Sequence, residues 1–298
     1  MLKNQCKNIL LIFLSFIIAF NIHLNANAIK IGLYENVRKT SLASSGEAYL
    51  INGKTGERLY TFNKMKYYDF KTYRDNIAIV INGQTYNTKT KNVVITSKNR
   101  NDFLCAKNRW YRGNMMIKLV NGGLTVINDL SLEDYLKGVV PSEMPSGWNI
   151  EAQKAQAIAA RSYAIANLGK RASYGYDLKD TPEDQAYGGA SSETKKTNNA
   201  VDQTKGIVIT YNKKVIPAFY CASAGGQTKA SSDVWYQDLP FLKSVPSFDA
   251  HISKNGHGVG MSQHGANNLA KMGYNAYQIL NYFYSNTHFG KLDSSWKI

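Results

Sequence analysis

Pro141-Ser142-Glu143-Met144-Pro145 holds one carboxylate between two prolines, each of which fixes φ and removes a backbone donor. Val139, Val140, Met144 and Trp148 surround Glu143 in sequence. Burial among them would strip the carboxyl of water and favour the protonated form that a general acid needs. An exposed loop glutamate is the ordinary alternative. Arg161 is the second residue of interest, an always-charged fork in an alanine-rich stretch. Such a group either finds a carboxylate, a carbonyl or a ligand, or snorkels outward near a helix C-terminus where the dipole favours it. Gly225 and Gly226 follow a strand-like run, where they let backbone N–H groups approach a ligand, although a tight turn needs glycines equally.

Other chemistries find little support. The glycines at 256, 258 and 260 do not make a dinucleotide fingerprint, because Met261 and Gln263 occupy the possible third places. No phosphate loop occurs. His251, His257 and His264 fit no standard ligand spacing and have no cysteine or paired carboxylate alongside, so no metal or other cofactor is expected. Cys105 and Cys221 could pair in an oxidising compartment. Nothing around Cys221 resembles a cysteine-protease signature.

The elements that must position these residues fall into two halves, which makes the expected fold class α+β. From Ile29 to about Asp129 short β-rich runs alternate with turns, and Asn52-Gly53, Asn82-Gly83 and Asn121-Gly122 are hairpin signals. Ser131 and Asp134 then start a helix expected to end near Gly138. A second helix follows Asn149 and runs to about Asn167. Its alanines at 152, 155, 157, 159, 160, 164 and 166 occupy nearly every face, as expected of a buried central helix. Strand runs at 207–211 and 215–220 and two C-terminal helices complete the pattern. The expected division is a signal peptide at 1–28, a β-rich region at 29–125 and an α+β domain at 126–298.

Composition bounds the function. With 44% hydrophobic and 12% aromatic residues, disorder is not expected. The start is basic, an apolar run spans Ile9 to Phe20, and Ala26-Asn27-Ala28 follows. This order reads as a secretory signal peptide; the apolar run is short for a spanning helix, so a membrane anchor is expected only if the signal is retained. The formal net charge is +15, of which the signal carries only Lys3 and Lys7. Outside the cytoplasm such a chain would meet anionic wall polymers and phospholipid head groups. No nucleic-acid motif is present, and no nucleic-acid partner is expected.

Taken in order, Ser131-Leu-Glu-Asp-Tyr-Leu-Lys-Gly-Val-Val-Pro-Ser-Glu143-Met-Pro, Ala155-Gln-Ala-Ile-Ala-Ala-Arg161-Ser-Tyr163-Ala, Asp184-Gln185-Ala-Tyr187-Gly-Gly, Ser223-Ala-Gly225-Gly226 and Gly256-His257-Gly-Val-Gly-Met-Ser-Gln263-His-Gly-Ala resemble the stage II sporulation protein D (SpoIID/LytB) family. The resemblance covers about residues 126–290. It implies an exported lytic transglycosylase that cuts muramyl glycan strands of peptidoglycan, in some members strands stripped of stem peptides. It also implies Glu143 as the catalytic residue, Arg161 as the helix arginine, and Gln185, Tyr187, Ser223, Gly225, Gly226, His257 and Gln263 as cleft residues that bind substrate. Arg161 paired directly with Glu143 would oppose the acid role, so it is expected to meet the substrate, such as the lactyl carboxylate of muramic acid, or to orient Glu143 from a distance.

Two departures from the family pattern matter. Some members carry a cysteine and a histidine that can hold zinc just before the Gln-x-Tyr motif, where this chain reads Asp180-Thr-Pro-Glu-Asp-Gln185; no zinc is expected there. The segment between Asp249 and Gly256 is also shorter than the insertion of the sporulation enzymes. Because relatives are named as amidase enhancers, a wall-bound regulator with a partner amidase is the competing function, and a structural protein of the envelope is a third.

Overall fold

In the computed structural model the structure describes residues 28–292. The expected signal segment falls outside them except for Ala28. The β-rich half forms two sheets. One runs Leu178–Lys179, Ala28–Val37, Gly123–Ser131, Asn114–Val120, Asn92–Ser97, Ala48–Asn52 and Arg58–Phe62 in spatial order; the other runs Arg109–Tyr111, Leu104–Ala106, Lys39–Ser44, Tyr68–Tyr73, Asn76–Ile81 and Gln84–Asn87. Ile31, Leu50, Val93, Ile95 and Ile117 from the first sheet and Leu42, Phe70, Ile77 and Ile79 from the second are all at most 3% exposed, and they share one apolar core.

Turn chemistry explains the hairpins. Asn82-Gly83 and Asn121-Gly122 both take positive φ at both residues, the type I′ geometry that suits two-residue hairpins. Asn52-Gly53 differs. Asn52 instead accepts the Lys54 and Thr55 amides through its Oδ1 at 2.9 and 3.4 Å, an Asx-type turn opening a longer connection.

The strand Gly123–Ser131 pairs with Ala28–Val37 on one side and Asn114–Val120 on the other, so the 125/126 division expected from sequence falls inside a strand. The switch to helix comes at Ser131, whose Oγ accepts the Asp134 amide at 3.2 Å and caps α1 (Leu132–Glu143). The chain continues through α2 (Ile150–Ala166), α3 (Lys195–Gln203), α4 (Gln263–Lys271) and α5 (Ala276–Phe283). A small sheet joins Ile207–Tyr211 to Lys214–Val215 and His288–Lys291, and Tyr220–Cys221 pairs in parallel with Met261–Ser262. The expected strand at 215–220 is broken around Pro217, which has no amide to give a ladder.

Helix α2 is buried on opposite faces. Ala157, Ala160 and Ala164 complete the core of the β region. Ala152, Ala155, Ile158 and Ala159 pack with Ile209, Met261, Leu269, Ile279 and Phe283 in a second core. Small side chains let both neighbours approach the backbone, as the alanine pattern predicts.

Arg161 does not meet a substrate cleft. It is fully buried, and its Nε and Nη2 hold the Glu133 carboxylate of α1 at 2.9 and 2.7 Å. Its guanidinium also donates to the carbonyls of Ala157, Ile207 and Val201. All its donors are used between α1, α2, α3 and the strand at 207–211, so the expectation of substrate contact is corrected to an internal strut. Cys105 and Cys221 are likewise both free and buried, not a disulfide. Glu133→Ala would leave a buried guanidinium without its counter-charge, a loss of about 3 kcal/mol. It is expected to lower the urea midpoint with the slope unchanged, whereas an unaltered midpoint would show that the pair contributes nothing.

Candidate active site

Helix α1 ends where the acid is needed. The helix runs past Gly138, its expected end, through Pro141, whose fixed φ suits a helix although one hydrogen bond is lost. Met144 then leaves helical geometry with φ −124° and ψ 139°, as a residue before proline is pushed to do. The pair of prolines thus makes Glu143 the last helical residue, with its side chain half-buried at the floor of a cavity of about 690 Å³.

Three donors converge on Glu143. Oε1 accepts the Ala186 backbone amide at 2.7 Å and Oε2 accepts Gln263 Nε2 at 3.3 Å. The Tyr220 hydroxyl is the third donor. Gln185 donates to the Tyr220 oxygen at 2.9 Å, which leaves the tyrosine proton free for Glu143. Burial pushes the Tyr220 pKa well up, aided by the Glu143 charge, so that proton is kept. Burial also raises the Glu143 pKa, and the Ala186, Gln263 and Tyr220 donors only partly offset it.

The other carboxylates at the cavity are already neutralised. Asp184 binds Lys170 at 2.6 Å, Arg171 at 2.7 Å and the Lys179 amide at 2.8 Å. Its burial would raise the pKa, but these partners hold it below the ordinary value. Glu183, on the rim, pairs with Lys179 and Arg171. One wall is aromatic, with Phe219 and Trp235 centroids 4.6 Å apart and Trp235 and His257 5.1 Å apart. His257 Nδ1 accepts the Val259 amide at 3.0 Å, and its other nitrogen donates to the Tyr220 carbonyl. Burial lowers its pKa, so His257 is a neutral wall residue whose remaining ring proton is committed to the Tyr220 carbonyl. Cys221 is no nucleophile either, since burial pushes its thiol up to about 11.

Of the residues expected to bind substrate, His257 and Gln263 line the cavity with Glu143, whereas Gln185, Ser223, Gly225 and Gly226 do not. Gln185 is fully buried and bridges Tyr135, Ala160 and Tyr220 behind the acid. Tyr187 is buried between Tyr111 and Tyr135, gives its proton to Asn128 Oδ1 at 2.8 Å, and faces Gly138 so closely that a Cβ there would come within 2.4 Å of its ring. It edges a different cavity. Ser223 donates to the Ser253 carbonyl at 2.6 Å.

The Gly225-Gly226 loop wraps an internal carboxylate in place of a ligand. Asp249, fully buried, accepts the Ala224 and Gly226 amides at 2.7 and 2.8 Å and the Ser262 hydroxyl at 2.6 Å, together with Ser247. Ser262 is the N-cap of α4, so Asp249 fixes the helix start that carries Gln263. Gly260, at φ 73°, lies where a Cβ would come within 2.0 Å of the Phe219 carbonyl. Asp249, Tyr220, Phe219, Trp235 and the Ala186 amide were not singled out by the sequence. Neither a backbone donor nor a lone aspartate carries a local signature.

Comparison with known proteins places this geometry. Residues 120–211 match the family described as SpoIID, Stage II sporulation protein. The chain carries a SpoIID domain. Glu143, Gln185 and Tyr187 lie inside the matched stretch, and Tyr220, His257 and Gln263 lie beyond it. Among relatives, the amidase enhancer of Bacillus subtilis (strain 168) is 48% identical over 107 residues, 36% of this chain and 14% of that protein. The stage II sporulation protein D of the same organism is 37% identical over 136 residues, 41% of this chain and 40% of that one. An uncharacterised protein of Brachyspira hyodysenteriae (strain ATCC 49526 / WA1) is 38% identical over 136 residues, 45% of this chain and 37% of that one. The chain thus covers less than half the length of each of these relatives.

The raised Glu143 pKa has a sign for stability. A carboxyl whose folded pKa lies above its unfolded value contributes fully below the unfolded value, about 4.3, and its contribution is lost as pH rises through the folded pKa. Glu143→Gln is therefore expected to melt above the wild type at pH 8, with the gap closing toward pH 4. An equal or lower melting temperature at pH 8 would contradict the burial of this charge.

Proposed function

We propose that this chain is an exported, cell-wall-directed lytic transglycosylase that cleaves muramyl glycan strands of peptidoglycan with Glu143 as its single acid and base. The observation that carries this reading is that, among the described residues lining the cavity, Glu143 is the carboxylate without a cationic partner, and burial favours its protonated form. Hydrolysis of a glycoside ordinarily uses two carboxyl groups, one to protonate the leaving oxygen and one to attack or to activate water. One carboxyl suffices if the sugar supplies its own nucleophile.

The steps balance with this residue alone. Glu143 gives its proton to the glycosidic oxygen as the C1–O bond breaks. The resulting carboxylate, held by the Ala186 amide, Gln263 and Tyr220, takes the proton of the C6 hydroxyl. O6 bonds to C1, the 1,6-anhydro ring closes, Glu143 is again protonated, and no water is consumed. The wall of Phe219, Trp235 and His257 offers apolar ring faces to the C–H faces of sugars. The formal charge of +15 favours approach to anionic wall polymers.

The relative named amidase enhancer favours a second reading, a wall-bound regulator of a separate amidase. Mass spectrometry of peptide-stripped and peptide-bearing strands incubated in ¹⁸O-water separates the two. The transglycosylase reading expects unlabelled anhydro-muramyl ends from the wild type, formed about 10²–10⁴-fold more slowly by Glu143→Gln. Labelled reducing ends would indicate hydrolysis. Uncut strands, with both proteins bound to them and a wall amidase accelerated, would establish the regulator.

A further inference from the structure

The β region reaches across to the acid. The hairpin formed by Leu104–Ala106 and Arg109–Tyr111 meets the segment that carries Ala186: Lys107 Nζ in its turn pairs with Asp180 Oδ2 at 2.7 Å, and the Trp110 amide in its second strand donates to Ser191 Oγ at 2.8 Å. Between them lies a second cavity of about 600 Å³, lined by Lys107, Arg109, Ser142, Thr181, Ala186 and Ser191 among others. It is continuous in sequence with the catalytic floor. Ser142 precedes Glu143, the Ala186 amide holds the Glu143 carboxylate, and Pro182 lines both cavities.

The chemistry of this cavity is that of an anion site. Asp180 neutralises Lys107, but Arg109 is exposed and forms no ion pair among the described residues. Thr181 Oγ1 is buried with no hydrogen-bond partner, an arrangement that ordinarily costs stability unless a ligand completes it. Ser191 Oγ accepts from Trp110 and keeps its own proton to donate. By contrast, the Ser142 hydroxyl is committed to the Gly138 carbonyl at 2.7 Å.

We propose that this second cavity is a subsite for a carboxylate-bearing unit of the glycan strand, with Arg109 pairing to the carboxylate and Thr181 and Ser191 donating beside it. The inference rests on the glycan reading above. It gives to Arg109 the anion recognition that the buried Arg161 cannot perform. A strand seated on Glu143 would pass over Pro182 and place a neighbouring sugar's substituent against Arg109. The carboxylate belongs either to the sugar, where stem peptides have been removed, or to a stem peptide.

Binding is measured by fluorescence anisotropy on a Glu143→Gln background, which prevents turnover, with four labelled probes: peptide-stripped muramyl strands, the same strands with carboxyls reduced to alcohols, peptide-bearing strands, and neutral chitin oligomers. Adding Arg109→Ala is expected to weaken binding of carboxylated strands roughly tenfold while leaving the reduced strands and chitin oligomers unchanged. Thr181→Val is expected to act in the same direction with a smaller effect. Loss on stripped strands assigns the carboxylate to the sugar, and loss confined to peptide-bearing strands assigns it to the peptide. No loss, or equal loss on reduced strands, overturns the subsite while leaving the glycan reading intact. Failure of the parent to bind any probe overturns both.

Discussion

The hydrogen bond from the Ala186 amide to the Glu143 carboxylate is the contact on which the site depends. It joins the end of α1 to a segment with no regular structure of its own, so whatever fixes that segment fixes the acid. Asp184 is clamped by Lys170 and Arg171, Gln185 plugs into α2, and Tyr187 is tied to Asn128 in the large sheet. Lys107 to Asp180 and the two-point pair of Arg112 with Glu193 add the β region to the same support. The β region is thus a buttress of the acid as well as a neighbour of it.

A single acid and base must hold a proton and then release it without a second carboxylate to help. Burial supplies the first requirement and oriented donors the second. Ala186 and Gln263 reach the carboxylate from different parts of the chain, and Tyr220 stands between Gln185 and Glu143 with its proton available. Two buried charged groups, Arg161 with its counter-ion and Asp249 with its neutral donors, keep these parts in register. Arg161 with Glu133 locks α1 onto α2, and Asp249 ties the 223–226 loop to the start of α4. Removing the partner of either group costs more than the contact contributes, because the charge left behind stays buried and unsatisfied.

The parts of the fold governed by local chemistry were legible in the sequence. Two of the three Asn-Gly pairs form the expected turns, the Asn149 cap starts α2 as expected, and the alanine pattern marks a helix packed on both faces. The setting of Glu143 was legible too, although Pro141 does not stop α1 and the stop comes from Pro145 acting on Met144. Less of the site was legible. Arg161, Ser223 and Gly226 carry the family pattern but spend their donors inside the protein, on Glu133, the Ser253 carbonyl and Asp249 respectively, because pattern records residue type and not which way a donor points. The Ala186 amide and the Trp235 and Phe219 wall depend on long-range packing that no local spacing reports.

The proposed reaction turns on the protonation of one carboxyl, and a ¹³C NMR titration of the chain labelled at glutamate Cδ reads it directly, with the Glu143 resonance assigned by its loss in Glu143→Gln. A midpoint clearly above the ordinary glutamate value of about 4.3 is the result expected from its burial. A midpoint at or below that value would mean that the carboxyl is ionised throughout the working range and would contradict its role as the acid.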